Sequence, residues 1–121
     1  MILVDTSIWV EHFRKGDEEL KEALYAGLTL THPFIIGELS LGSLSNRKTV
    51  LQMLKDLPKA TVASDDEVAV FIEKHRLYGL GIGYIDSHLL ASAFLTKVRL
   101  WTKDKKLKEA AINLGCAYAR H

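Results

Sequence analysis

The feature that most constrains this chain is an alternation of short apolar runs with stretches of helical period. The runs at 2–4, 28–31, 60–62, 98–101 and 116–118 read as buried strands. Between them, 7–13 predicts a short helix. Asp17 caps a second one with Leu20, Ala23 and Leu24 on one face and Gly27 as its stop. Pro33 opens a helix through 41, since proline suits a first helical turn. The stretch 46–57 places Val50, Leu54 and Leu57 on one stripe and ends at Pro58. Ser64 and Glu67 have the spacing of a capping box, opening a helix whose stripe is Val68, Phe71, Ile72 and His75. Helices at 84–96 and 104–114 complete the set. Strands that alternate with helices across short connections bury both faces only as a parallel sheet covered on each side. The expected fold is therefore an α/β three-layer sandwich with a central, mostly parallel sheet. Ligands of such sheets bind beyond the carboxyl ends of the strands, where the strand order reverses.

Composition narrows the class further. At 121 residues the chain reads as one domain, 1–121, able to bury roughly two thirds of its unfolded surface without metal or disulfide staples. With 48% hydrophobic and 26% charged residues it is far from a disordered chain. The single Cys116, between Gly115 and Ala117, reads as a small core residue in a reducing, cytoplasmic setting. The start, Met1 to Asp5, has no basic lead and is no signal peptide. No apolar run approaches the ~20 residues of a membrane span. The net charge of +1 hides an asymmetry: residues 1–40 sum to −4 and residues 97–121 to +5. Such a basic tail suits a polyanion, and equally a solvated helix face.

Four carboxylates stand out by position. Asp5 directly follows the first strand, and Thr6 and Ser7 are available to cap the next helix in its place. Glu38 shares a helix face with Phe34, Ile35 and Leu41. Asp86 lies in the first turn of the 84–96 helix and Asp104 just after the fourth strand, where capping is the ordinary explanation of each. Jointly, the four acids converge on one sheet edge. Like charges so placed cannot all stay ionised unaided, and a cation resolves the conflict. Oxygen donors without His or Cys suit Mg²⁺ or Mn²⁺ rather than zinc. Of the five histidines (12, 32, 75, 88 and 121), none forms a ligand grouping in the sequence, and His75 reads as a hydrogen-bonded core residue. A carboxylate-held Mg²⁺ can lower the pKa of a bound water, orient it and neutralise phosphate charge, which is nuclease chemistry. Thr6, Ser7 and Thr102 flank two of the acids and are placed to orient carboxylates or waters.

These residues carry a resemblance: Asp5-Thr6-Ser7-Ile8-Trp9 at the first strand end, Glu38 after the second strand, Gly83-Tyr84-Ile85-Asp86 opening a late helix, and Thr102-Lys103-Asp104 after the fourth strand. The chain resembles the PIN-domain ribonucleases, most closely the VapC toxins of type II toxin–antitoxin modules, over essentially its whole length. No acid of the pattern is missing. The resemblance implies strand order 3-2-1-4-5 and Mg²⁺- or Mn²⁺-dependent cleavage of structured RNA by Asp5, Glu38, Asp86 and Asp104. It also implies a homodimer, and inhibition by a small antitoxin whose C-terminal segment enters the acidic groove. Lys103, Lys105, Lys106 and Arg14 are the candidates for contacting the RNA backbone.

Two other readings compete. A receiver-like, Mg²⁺-dependent phosphoacceptor domain shares size and architecture, yet needs paired acids at the first strand end and an acceptor Asp at the third, where Asp65 is already explained as part of a cap. A non-catalytic nucleic-acid-binding PIN domain would make the acids structural. The glycine runs at 42–43 and 79–83 lack the dinucleotide-binding fingerprint and read as loops, the second bordering the groove.

Overall fold

The computed structural model describes residues 1–119; Arg120 and His121, counted above with the basic tail and the histidines, lie outside the described residues. Among these residues three short parallel strands form the sheet: β1 (Ile2–Val4), β2 (Thr29–Leu30) and β3 (Arg99–Trp101), in the order β2-β1-β3. The register sets Leu3 beside Leu30 on one side and Leu100 on the other, with Val4 beside Trp101. Among the described residues seven helices flank the sheet: α1 (Thr6–Lys15), α2 (Glu18–Tyr25), α3 (Pro33–Ser40), α4 (Arg47–Asp56), α5 (Asp65–His75), α6 (Tyr84–Thr96) and α7 (Lys105–Asn113). The strand order reverses at β1, so the carboxyl ends of β1 and β3 open side by side, joined by Asp5 N–H donating to the Trp101 carbonyl at 2.9 Å.

The core is built as the alternation requires. Leu3, Val4, Ile8, Trp9, Leu20, Ile35, Leu54, Leu89, Leu90, Leu100 and Leu107 are all but inaccessible to solvent. Helix α6 is buried from Ser87 through Ala93, so it lies inside the molecule rather than on its surface. Two of its hydroxyls are accommodated locally: that of Ser87 donates to the Gly83 carbonyl and that of Thr96 to the Ser92 carbonyl.

Three expectations change. The stretch 60–62 is not a strand. Pairing beside β2 is a single parallel bridge, Thr31 with Lys59, because Ala63 turns into the core and Ser64 already caps α5. The stretch 116–118 likewise contributes one bridge, Leu100 with Ala117. These bridges stand at the outer positions of the implied order 3-2-1-4-5, and the ladder proper has three strands. His75 is half-buried between the rings of Phe71 and Phe94 (centroids 4.7 and 5.0 Å away), a ring contact rather than a hydrogen-bonded core position. The capping box of α5, the Asp17 cap of α2, and the left-handed stops at Gly27 and Gly115 are present. Among the described residues no helix is long and apolar enough to cross a membrane.

Candidate active site

Asp5 directly follows β1 and, contrary to expectation, is itself the N-cap of α1, which begins at Thr6. Its carboxylate is almost fully buried and held by three donors. Oδ1 accepts from Thr6 N–H at 2.7 Å. Oδ2 accepts from the hydroxyls of Ser7 at 2.9 Å and Thr102 at 2.7 Å. A buried carboxylate so surrounded is fixed in orientation. Thr102 also accepts from Asp104 N–H at 3.0 Å, and the Ser7 oxygen accepts from Lys103 N–H at 3.0 Å, so the turn after β3 is tied to the turn after β1.

Asp104 is the N-cap of α7: its Oδ1 accepts from Leu107 N–H at 2.9 Å. The ordinary explanation of this acid therefore holds. Glu38, on α3, is exposed rather than packed among apolar neighbours, and its Oε1 accepts from the Thr6 hydroxyl at 2.9 Å. Asp86 is different. It sits in the first turn of α6, yet the N-cap is Gly83, which has no side-chain cap bond, so Asp86 is not explained as the cap. Half-buried, it is pushed up from the usual 3.8 to about 6 by burial first, then by the negative charges of Asp5, Asp104 and Glu38. The other three acids thus all bear on Asp86.

The donor set is wholly oxygen. His32 and His88 are buried nearby in the fold, but burial holds His32 down at about 4, and His88 Nε2 lies 3.1 Å from Asp65 Oδ1. Among the described residues no three His, Cys, Asp or Glu side chains form a ready-made metal cage. Mutual repulsion without a rigid cage fits an ion held partly through its own waters, the habit of Mg²⁺.

The basic candidates separate. Lys103 Nζ lies 2.9 Å from Glu11, which also binds Lys15 at 2.6 Å and Arg14 at 3.0 Å. Those lysine contacts hold the Glu11 carboxyl at about 2. Arg14 lines a cavity of about 590 Å³ that opens beside Thr6 and Glu38 and reaches Asn46. Lys105 and Lys106 are exposed in the first turn of α7. Sequence reading missed Glu11. Its pairing with Arg14 and Lys15 at three and four residues was visible, but its reach to Lys103 is a tertiary contact. It also missed Asp65 as the acceptor of the Tyr84 hydroxyl at 3.2 Å, since the two lie in different helices. Asp65 is a first-turn residue of α5 engaged by Tyr84 and His88 of α6, and the stretch before it is not a strand, which removes the phosphoacceptor of the receiver reading.

Comparison with known proteins places the chain in a family. Residues 2–113 match the PIN domain family model. The chain is 45% identical over 120 residues to Ribonuclease VapC32 of Mycobacterium tuberculosis, in strain CDC 1551 / Oshkosh and in strain ATCC 25618 / H37Rv alike. The match covers 98% of this chain and 97% of the relative. With a family model matching nearly the whole chain and a relative 45% identical over its length, the chain belongs to the PIN-domain family and, within it, to the VapC ribonucleases.

Proposed function

We propose that this chain, a single PIN domain over 1–121, is a divalent-metal-dependent endoribonuclease and the toxin of a type II toxin–antitoxin pair, hydrolysing phosphodiesters of structured RNA. The observation that carries the reading is the elevated Asp86 carboxyl, raised by burial and by the charges of Asp5, Asp104 and Glu38. Such an arrangement destabilises the metal-free protein and becomes favourable only with a cation among the oxygens. Asp5, Glu38, Asp86 and Asp104 would hold Mg²⁺ or Mn²⁺, directly or through water. The ion supplies an activated water and neutralises charge on the scissile phosphate.

The chain's own part is pre-organisation. Thr6 N–H, Ser7 and Thr102 fix Asp5, and the Thr6 hydroxyl orients Glu38. Asp86 must give up its proton to serve as a ligand, so activity rises through about pH 6. Lys105 and Lys106 meet the RNA backbone, and Lys103 and Arg14 exchange Glu11 for phosphate. The cognate antitoxin enters the acidic pocket with a basic side chain. A second copy of the chain packs on the α5–α6 face, where Val70 and Leu95 stand exposed. The setting is cytoplasmic.

The test is cleavage of RNA by purified protein in Mg²⁺, Mn²⁺ or EDTA, for wild type, Asp5→Asn and Asp86→Asn. Expected is cleavage only with metal, lowered about 100-fold or more in either variant. Undiminished cleavage in EDTA overturns the metal role. Full activity of both variants assigns the acids a structural job instead.

A further inference from the structure

We propose that Gly81 is a positioning residue for Lys106, seating its ammonium at the rim of the acidic pocket as an anchor for the RNA backbone; this rests on the nuclease reading above. The loop between α5 and α6 contains Gly79, Gly81 and Gly83. Gly79 and Gly81 share a left-handed backbone, with φ of +76° and +77°, where any side chain is strained. In their surroundings they differ. A Cβ at Gly79 would meet nothing within 4 Å. A Cβ at Gly81 would lie 2.6 Å from Lys106 Nζ, 3.0 Å from its Cδ and 3.3 Å from its Cε. The outer half of the Lys106 side chain therefore lies across the bare α-carbon of Gly81, in space that only glycine leaves open.

The same loop reaches the acids. A Cβ at Gly83 would be 3.9 Å from Asp86 Oδ2. Two residues of extended chain span at most about 7 Å, so the seat of Lys106 and the wall of Asp86 are neighbours on one short segment. On its own helix Lys106 stands two positions after Asp104. Its charge is also uncommitted. Lys103 is bound to Glu11, whereas Lys106 makes no ion pair among the described residues. Four carboxylates repel an incoming phosphodiester, and a cation seated at their edge offsets that repulsion where the strand enters.

Because the atoms a Cβ would meet are the far end of a flexible side chain, Gly81→Ala moves the ammonium while leaving the packed core alone. Gly79→Ala carries the same backbone strain without the contact and serves as its control. We would measure binding of a labelled RNA stem–loop with a single-stranded loop of mixed sequence in EDTA across a salt series. KM and kcat would be measured in Mg²⁺, with thermal melts to confirm folding. The proteins are wild type, Gly79→Ala, Gly81→Ala, Lys106→Ala and the Gly81→Ala/Lys106→Ala double variant.

Lys106→Ala should weaken binding about fivefold, the worth of one such contact, and lower the log–log salt slope by about 0.7. Gly81→Ala should give about a threefold loss in the same direction, raising KM with kcat unchanged. Gly79→Ala should leave KM and slope at wild type, and the double variant should be no worse than Lys106→Ala. The proposal is overturned if Gly81→Ala behaves as Gly79→Ala, or if its full effect persists once Lys106 is gone. Wild type that cleaves RNA while every variant matches it sinks this inference alone. Wild type that neither binds nor cleaves RNA sinks the nuclease reading with it.

Discussion

Replacing Asp86 by Asn should make the metal-free protein more stable, and the size of the gain can be worked from the site. In the folded chain the Asp86 carboxyl is raised from 3.8 to about 6, which corresponds to roughly 3 kcal/mol of unfavourable ionisation. Partial exposure trims this to about 2 kcal/mol. Against it, a negative charge in the first turn of α6 gains about 0.3–1 kcal/mol from the helix dipole, which Asn forfeits. Repulsion wins, leaving about 1–2 kcal/mol. The sign follows from linkage: a carboxyl raised on folding adds stability below pH 3.8, and that stability is lost as pH rises through about 6. Wild type and Asp86→Asn should therefore melt together near pH 4, and at pH 8 the variant should melt higher by about 4–8 °C. Thermal denaturation in EDTA at both pH values is the assay. Adding Mg²⁺ at 100 times its Kd should raise the wild type by about 2.7 kcal/mol and close the gap. A variant less stable than wild type at pH 8, or a gain of equal size at pH 4, would refute the electrostatic reasoning.

Other outcomes follow from the same contacts. Thr102→Val removes the buried hydroxyl shared by Asp5 and Asp104, and should cost about 1–3 kcal/mol by chemical denaturation while lowering kcat more than it raises KM. Glu11→Gln frees Lys103, Lys15 and Arg14, so RNA binding should tighten and its salt dependence steepen in a titration series. The stabilising pull on Glu11 itself is present above pH 4.5 and lost as pH falls toward about 2, so stability of wild type and variant should converge in acid. Ser64→Ala breaks the capping box of α5, which involves none of the four acids; it should cost about 1 kcal/mol in denaturant and leave RNA cleavage unchanged.

Much of this was legible because it is local. Asp17, Ser64 with Glu67, Gly27 and Gly115 mark helix ends by chemistry that acts within four residues, and all four stand where that chemistry places them. The run 2–4 was readable as a central strand because all three residues are apolar and buried. The outer strands failed for a reason invisible in hydrophobicity. Val62 is apolar, yet it stands exposed, because the chain has only Thr61 to Ala63 in which to leave the sheet before Ser64 must cap α5. Helix α1 starts one residue early because the Asp5 carboxylate caps it while also accepting from Thr102, 97 residues away. Asp5 is both a cap and a member of the acid cluster, a double role that a choice between the two could not represent. The roles of Glu11 and of Asp65 beyond its place in a cap went unread because they are long-range: Lys103 for one, Tyr84 and His88 for the other.

The central claim is that these oxygens bind a divalent ion, and calorimetric titration of Mn²⁺ into the purified protein at pH 7.5 addresses it without any RNA. The account predicts saturable binding that weakens at least about tenfold in Asp5→Asn and again in wild type at pH 5, where the Asp86 proton competes with the ion. Absence of binding in wild type, or equal binding in Asp5→Asn and at both pH values, would contradict it.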